Sequence, residues 1–127
     1  MYYIVESDKS VYEASVDLEE VILRLGFAVQ HREDLGAGLR ARDIDFDEEA
    51  LLFEIGSARP TAGLLAADIR LALCLPWRIS VFTEEGVTKL GLIRPSALLP
   101  VLSPAAGLSR LACDIEEKLM QVVDEAR

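Results

Sequence analysis

Leu71-Ala72-Leu73-Cys74-Leu75-Pro76-Trp77-Arg78-Ile79-Ser80-Val81-Phe82 is the longest dense run of strand-forming, apolar residues in the chain. Its alternation puts Leu75, Trp77, Ile79 and Val81 on one face and Arg78 and Ser80 on the other, the period of a strand with one buried side. Pro76 suits the opening of such a strand but not the interior of a central one, because it has no N–H for the ladder. Thr83-Glu84-Glu85-Gly86 follows, then Val87 to Ile93. That pattern predicts a hairpin, with Gly86 taking the positive φ a tight turn needs.

Working outward, Tyr2 to Glu6 reads as a first strand. Ser10 and Glu13 have capping-box spacing. Val11, Ala14, Leu18, Val21, Ile22 and Leu25 follow at helical intervals, with Glu20 and Arg24 four apart on the polar side. Gly26 supplies the stop. Phe27 to Arg32 alternates as a second strand, with Phe27, Val29 and His31 on one side. Glu33 to Arg42 suits a short helix through Leu35 and Leu39, although Gly36 and Gly38 each cost it about 1 kcal/mol relative to Ala. Asp43 to Glu49 is an acidic connection, and Ala50 to Gly56 is a third strand. Ser57-Ala58-Arg59-Pro60 opens another short helix. After the hairpin, Arg94-Pro95 breaks the strand and Ser96 to Leu102 forms a loose helical turn. Ser103-Pro104 reads as the cap and first position of a second long helix, carrying Leu108, Leu111, Ala112, Ile115, Leu119, Val122 and Val123 inward and pairing Asp114 with Lys118.

Strands grouped between two long helices define an α+β fold, a single antiparallel sheet with the N- and C-terminal helices on one face. Gln30, Glu54 and Arg78 belong to the opposite face. At 127 residues the chain suits a single domain, residues 1–127, burying roughly two-thirds of its unfolded surface. The net charge of −9 and pI near 4.5 disfavour nucleic acid and anionic membrane surfaces as partners. The opening MYYIVESDKS lacks a basic lead and apolar block, and no apolar run approaches the roughly 20 residues that span a bilayer. A cytoplasmic protein is the expectation. Cys74 and Cys113 lack metal or redox spacing and read as thiols rather than a disulfide.

Taken together and in order, MYYIVESDKSVYEA at the start, Gly26-Phe27, DFDEEALLFEIGSARP from Asp45 to Pro60, LAAD at Leu65 to Asp68, LPWRISVF at Leu75 to Phe82 and Arg94-Pro95 resemble the domain-of-unknown-function family 302. That family comprises small bacterial and archaeal proteins. The resemblance implies a compact α+β domain similar to the TATA-binding-protein-like fold, often dimeric, and brings no established activity. Members often carry a Cys-Asn-Pro-like triplet where this chain has Gly56-Ser57-Ala58, and LPC where it has Leu75-Pro76-Trp77. A thiol-dependent role therefore does not carry over.

Asp43, Asp45, Asp47 and Glu54 occupy positions one, three, five and twelve of a calcium loop, but Glu48 stands where the turn requires glycine, so the segment reads as a solvated acidic loop. No metal or cofactor motif is present. Arg59, Arg78 and Arg94 each lie near a proline at the end of an element. Converging at a sheet rim, they could hold a small carboxylate or phosphate; as scattered surface charge, they would simply pair with acidic neighbours. His31, the only histidine, reads as a packing residue at a strand end. Three functions remain open: a non-catalytic homodimer-forming domain binding a small ligand or protein partner; an enzyme or regulator taking a small anionic metabolite near His31, Arg59, Trp77 and Arg78; and a structural subunit of a larger assembly. Trp77 is expected to be buried as a packing residue, and Cys74 to point away from it.

Overall fold

In a computed structural model describing residues 1–127, the chain forms one five-stranded antiparallel sheet with its two long helices packed on one side. The strands are β1 (Tyr2–Ser7), β2 (Ala28–Asp34), β3 (Ala50–Gly56), β4 (Trp77–Glu84) and β5 (Val87–Ile93), arranged β1-β5-β4-β3-β2. The helices are α1 (Val11–Arg24), α2 (Leu35–Arg40), α3 (Ala58–Ala67), α4 (Pro95–Leu102) and α5 (Leu108–Ala126), with a 3-10 helix at Ile69–Cys74.

The β4–β5 hairpin sits in the middle of the sheet, as its apolar alternation requires. Glu85 (φ 52) and Gly86 (φ 79) form its two-residue turn, and positive φ at both central positions matches the right-handed twist of the flanking strands. Cross-strand pairs Ile55–Trp77, Phe53–Ile79 and Leu51–Val81 put the inward side chains of β3 and β4 side by side. Val81 then pairs with Leu90, and Leu90 with Val5. Leu18 and Ile22 of α1 and Leu119, Val122 and Val123 of α5 close over this surface in one cluster of 23 buried residues. Ser10 caps α1 through its side chain, and Gly26 takes φ 91 beyond the helix end.

Several boundaries differ from the sequence expectation, each for a local reason. Leu71–Cys74 belong to the 3-10 helix rather than to the strand, which starts only at Trp77 after the cis Leu75–Pro76 peptide. The Asp68 carboxylate starts that turn by accepting from Arg70 N, and it also accepts from Ser103 Oγ at 2.6 Å. Ser103 Oγ also accepts from Ala105 N at 3.2 Å, but that turn is not continued, and α5 begins only at Leu108, after Gly107 at φ 76. Ser57 precedes α3 as expected, but its side chain makes no capping bond. Arg24 pairs with Glu125 of α5 at 2.7 Å rather than with Glu20.

The consequential departure is in β2. The pairing shifts by one residue between Val29–Ile55 and His31–Glu54, a bulge at Gln30. One extra residue reverses the parity of everything after it. Arg32 therefore opposes buried Phe53, lies over its ring at 5.9 Å and pairs with Glu19 of α1 at 3.2 Å. His31, expected alongside Phe27 and Val29, instead opposes Glu54 on the open face.

Candidate functional site

The side of the sheet away from the helices has no covering layer. Three cross-strand rows run over it. Glu33, Leu52, Ser80, Gly91 and Ile4 form the middle row. His31, Glu54 and Arg78 run towards Ile93 and Tyr2 on one side of it, and Ala50, Phe82, Lys89 and Glu6 lie on the other. The exposed apolar members gather at the β1–β5 side of the face, with Tyr2 69% exposed, Ile4 48% and Ile93 50%. Soluble chains rarely leave so contiguous a set of large apolar side chains in water without a use for it. Gly91 shapes the middle: a Cβ there would meet Ile4 Cγ1 at 2.8 Å and the Tyr3 carbonyl oxygen at 3.1 Å, so glycine lets Ile4 lie across β5. A shallow cavity of about 230 Å³ results, lined by Tyr2, Ile4, Leu52, Arg78, Phe82 and Ile93 among others.

The residues singled out from sequence are placed as follows. Arg78 borders this cavity and stands 3.9 Å from Glu54, a loose pair in solvent. His31 is exposed on the β2 edge beside Glu54. Arg59 is exposed in the first turn of α3. Trp77 faces the helices, 5% exposed, and its indole N–H has no partner. Arg94 turns to the helix side: its Nη2 donates to Glu116 Oε2 at 3.2 Å. Of the five, the structure brings Arg78 and His31 to one face and leaves Arg59, Trp77 and Arg94 elsewhere. A second cavity of about 320 Å³ lies between β3, α3 and the 3-10 helix. Its walls are Gln30, Gly56, Thr61, Leu65, Leu75 and Pro76 with Ile55 and Ala72, and none of the five lines it.

Two carboxylates, one buried and one half-buried, went unnoticed in the sequence. Glu116 is 7% exposed and accepts from Ser96 Oγ at 2.6 Å, Ser96 N at 3.1 Å and the Arg94 guanidinium. It caps the start of α4 from α5, so Arg94 is a structural residue. Burial alone would raise its pKa; the Ser96 and Arg94 hydrogen bonds outweigh that and leave it below the ordinary value. Asp68 is held well below the usual carboxylate range, first by the Arg70 guanidinium and then by Ser103 and the Arg70 backbone. The only sequence signal for either is a charged residue at a position the helical or turn pattern leaves half-buried, which does not name its partner.

Cys74 is half-buried against the core, and its thiol donates to the Leu71 carbonyl at 3.1 Å. It sits in the 3-10 helix, so the strand parity expected to turn it away from Trp77 does not apply. Burial pushes its thiol pKa up. Cys113 is exposed on α5. Asp43, Asp45 and Asp47 lie in the loop before β3, while Glu54 is in mid-strand on the open face. No three His, Cys, Asp or Glu side chains stand close enough to hold a metal ion, and no helix is long and apolar enough to cross a membrane.

A five-stranded antiparallel sheet packed on one face by the long helices and uncovered over much of the other defines the class: an α+β domain. The chain belongs to the family described as Domain of unknown function DUF302, whose model matches residues 3–126. It is similar in structure to an uncharacterised conserved DUF302 protein from Bacillus stearothermophilus, solved by crystallography. The two are 27% identical, with a TM-score of 0.93 over 99% of this chain and 98% of that one. No curated protein matches the chain.

Proposed function

We propose that this chain is a non-catalytic, dimer-forming binding module whose open sheet face is the contact surface, occupied by a second copy of itself. The observation that carries the reading is the uncovered patch of Tyr2, Ile4 and Ile93 around Gly91. The chain carries −9 overall, which repels a second copy, but the centre of the face holds one opposed pair, Arg78 and Glu54. A two-fold axis passing beside Gly91, within the β1–β5 patch, sets these apolar groups against one another.

The area is sufficient. Five strands about 4.8 Å apart and about 20 Å long present roughly 500 Å² in projection, so two copies bury on the order of 1,000 Å². That lies at the lower bound for a specific interface, the range of weak, transient pairs. A small-anion site built from Arg59, Arg78 and Arg94 would need side chains that here lie in an exposed first helical turn, on the open face and against Glu116. For that reason we favour the interaction reading.

Light scattering at tens of micromolar should give about twice the 14.0 kDa chain mass. Ile4→Glu and Ile93→Glu, both at exposed positions, should give the monomer mass with unchanged circular dichroism. A wild-type monomer up to millimolar concentration, or variants that still dimerise, would overturn the proposal.

A further inference from the structure

A third void, about 580 Å³, opens at the turn end of the sheet, where the loop before β3 meets the end of β4. Its size falls within the usual range for small-molecule sites, about 300–1,000 Å³. Phe46, Phe82, Leu35, Leu51 and Ala50 supply its apolar lining. Its position is held by backbone contacts rather than left to a floppy loop. Arg40 donates to the carbonyls of Phe46 at 3.0 Å and Glu48 at 3.2 Å. Glu49 N donates to Thr83 Oγ1 at 2.8 Å, and Thr83 N donates back to the Glu49 carbonyl at 3.0 Å. Phe46 is thereby fixed as a wall.

The charge around that groove has one sign. Glu48, Glu49, Glu84 and Glu85 all line it, and no Lys, Arg or His does. Two cations stand behind them: Lys89 pairs with Glu84 at 2.6 Å, and Arg40 faces Glu49 at 3.4 Å while already serving the two carbonyls. Glu48 accepts from Glu85 N at the turn. Four carboxylates against two cations leave a net charge of about −2 at the mouth, within a Debye length of any occupant. An anionic or neutral ligand gains nothing from such a rim, whereas an ammonium group over an apolar body matches both wall and rim.

We propose that this groove binds a small organic cation, a primary ammonium on an alkyl or aryl body, with the apolar part against Phe46 and Phe82 and the ammonium among the glutamates. The groove borders the open face through Ala50, Ser80 and Phe82, so binding is read both in the wild type and in Ile4→Glu, the variant in which a second copy should not cover that face. Phenethylamine, 2-phenylethanol and 3-phenylpropanoate test it, because they share a ring and differ in charge. Amide resonances of the full-length protein are followed by NMR during titration with each, for the wild type and for Ile4→Glu.

The amine should shift the amides of residues 46–50 and 80–85 saturably in both proteins. It should bind about fivefold tighter than the alcohol, the upper end for a solvent-exposed ion pair. The carboxylate should bind most weakly. Added salt should erode the preference for the amine. Glu84→Gln/Glu85→Gln should remove that preference while leaving ring binding, and Phe46→Ala should weaken all three compounds. Equal affinity for the three, shifts that do not saturate, or an amine preference that survives Glu84→Gln/Glu85→Gln would overturn the proposal.

Discussion

Replacing Trp77 separates two contributions that one buried side chain makes with opposite sign. The ring is 5% exposed and packs with Ile55 and Ile79 in the central cluster, but its N–H is buried without a partner. An indole buries about 150–250 Å², which at about 25 cal/mol per Å² amounts to about 4–6 kcal/mol. Alanine keeps part of that burial, and a compact unfolded chain hides about 10–40% of the area beforehand. The unmet N–H subtracts about 1–3 kcal/mol more. The void left in the packed core adds a cavity cost of about 2 kcal/mol, so Trp77→Ala should destabilise by about 3 kcal/mol, lowering Tm by about 10 °C. Trp77→Phe removes the orphaned donor and leaves only a small void, so it should fall within about 1 kcal/mol of wild type. The assay is urea unfolding followed by far-UV circular dichroism, because Trp77 is the only tryptophan. A Trp77→Ala loss below about 1 kcal/mol would show that the ring does not support the core. A Trp77→Phe loss as large as that of Trp77→Ala would refute the unmet N–H.

Glu116 offers a second test. Glu116→Ala strips the α4 start and Arg94 of their shared acceptor and should cost about 2–4 kcal/mol. Its folded-state pKa is depressed below the ordinary 4.5, so the stability it supplies is present above that value and lost as pH falls through the folded pKa. Denaturant midpoints should stay level from neutrality to about pH 5 and then fall, and Glu116→Gln should flatten part of that fall. Thiol labelling gives a third: exposed Cys113 should react well ahead of Cys74, whose pKa burial raises. Faster labelling of Cys74 would contradict its packing against the core.

The parts of the fold set by local chemistry could be read directly from the chain. Alternation in Trp77 to Val81, Gly86 at the turn, the Ser10 cap and the apolar stripes of α1 and α5 fixed the sheet, the hairpin and the side on which the helices lie. What escaped depended on partners distant in sequence. Ser103 reads as the cap of the last helix, but its hydroxyl donates to Asp68, 35 positions away, and the helix begins only after Gly107. Arg94 looked like part of a cationic rim until Glu116 claimed it. His31 and Arg32 exchanged faces because of one unpaired residue in β2, and an edge-strand bulge leaves no mark in an alternation of polar residues. The open face was partly visible, since Arg78 and Glu54 were placed on it. The apolar members Tyr2, Ile4 and Ile93 went unremarked because their exposure depends on nothing covering the sheet, which hydrophobic periodicity cannot reveal.

Half-filtered NOE spectroscopy on a mixture of ¹³C-labelled and unlabelled protein tests the self-association of the open face most directly, because it reads only contacts between copies. Methyl groups of Ile4, Ile93 and Leu52 should show intermolecular NOEs, several of them to the ring of Tyr2. Intermolecular NOEs confined to Leu23 on α1 or Leu73 in the 3-10 helix, or none at millimolar concentration, would contradict the account.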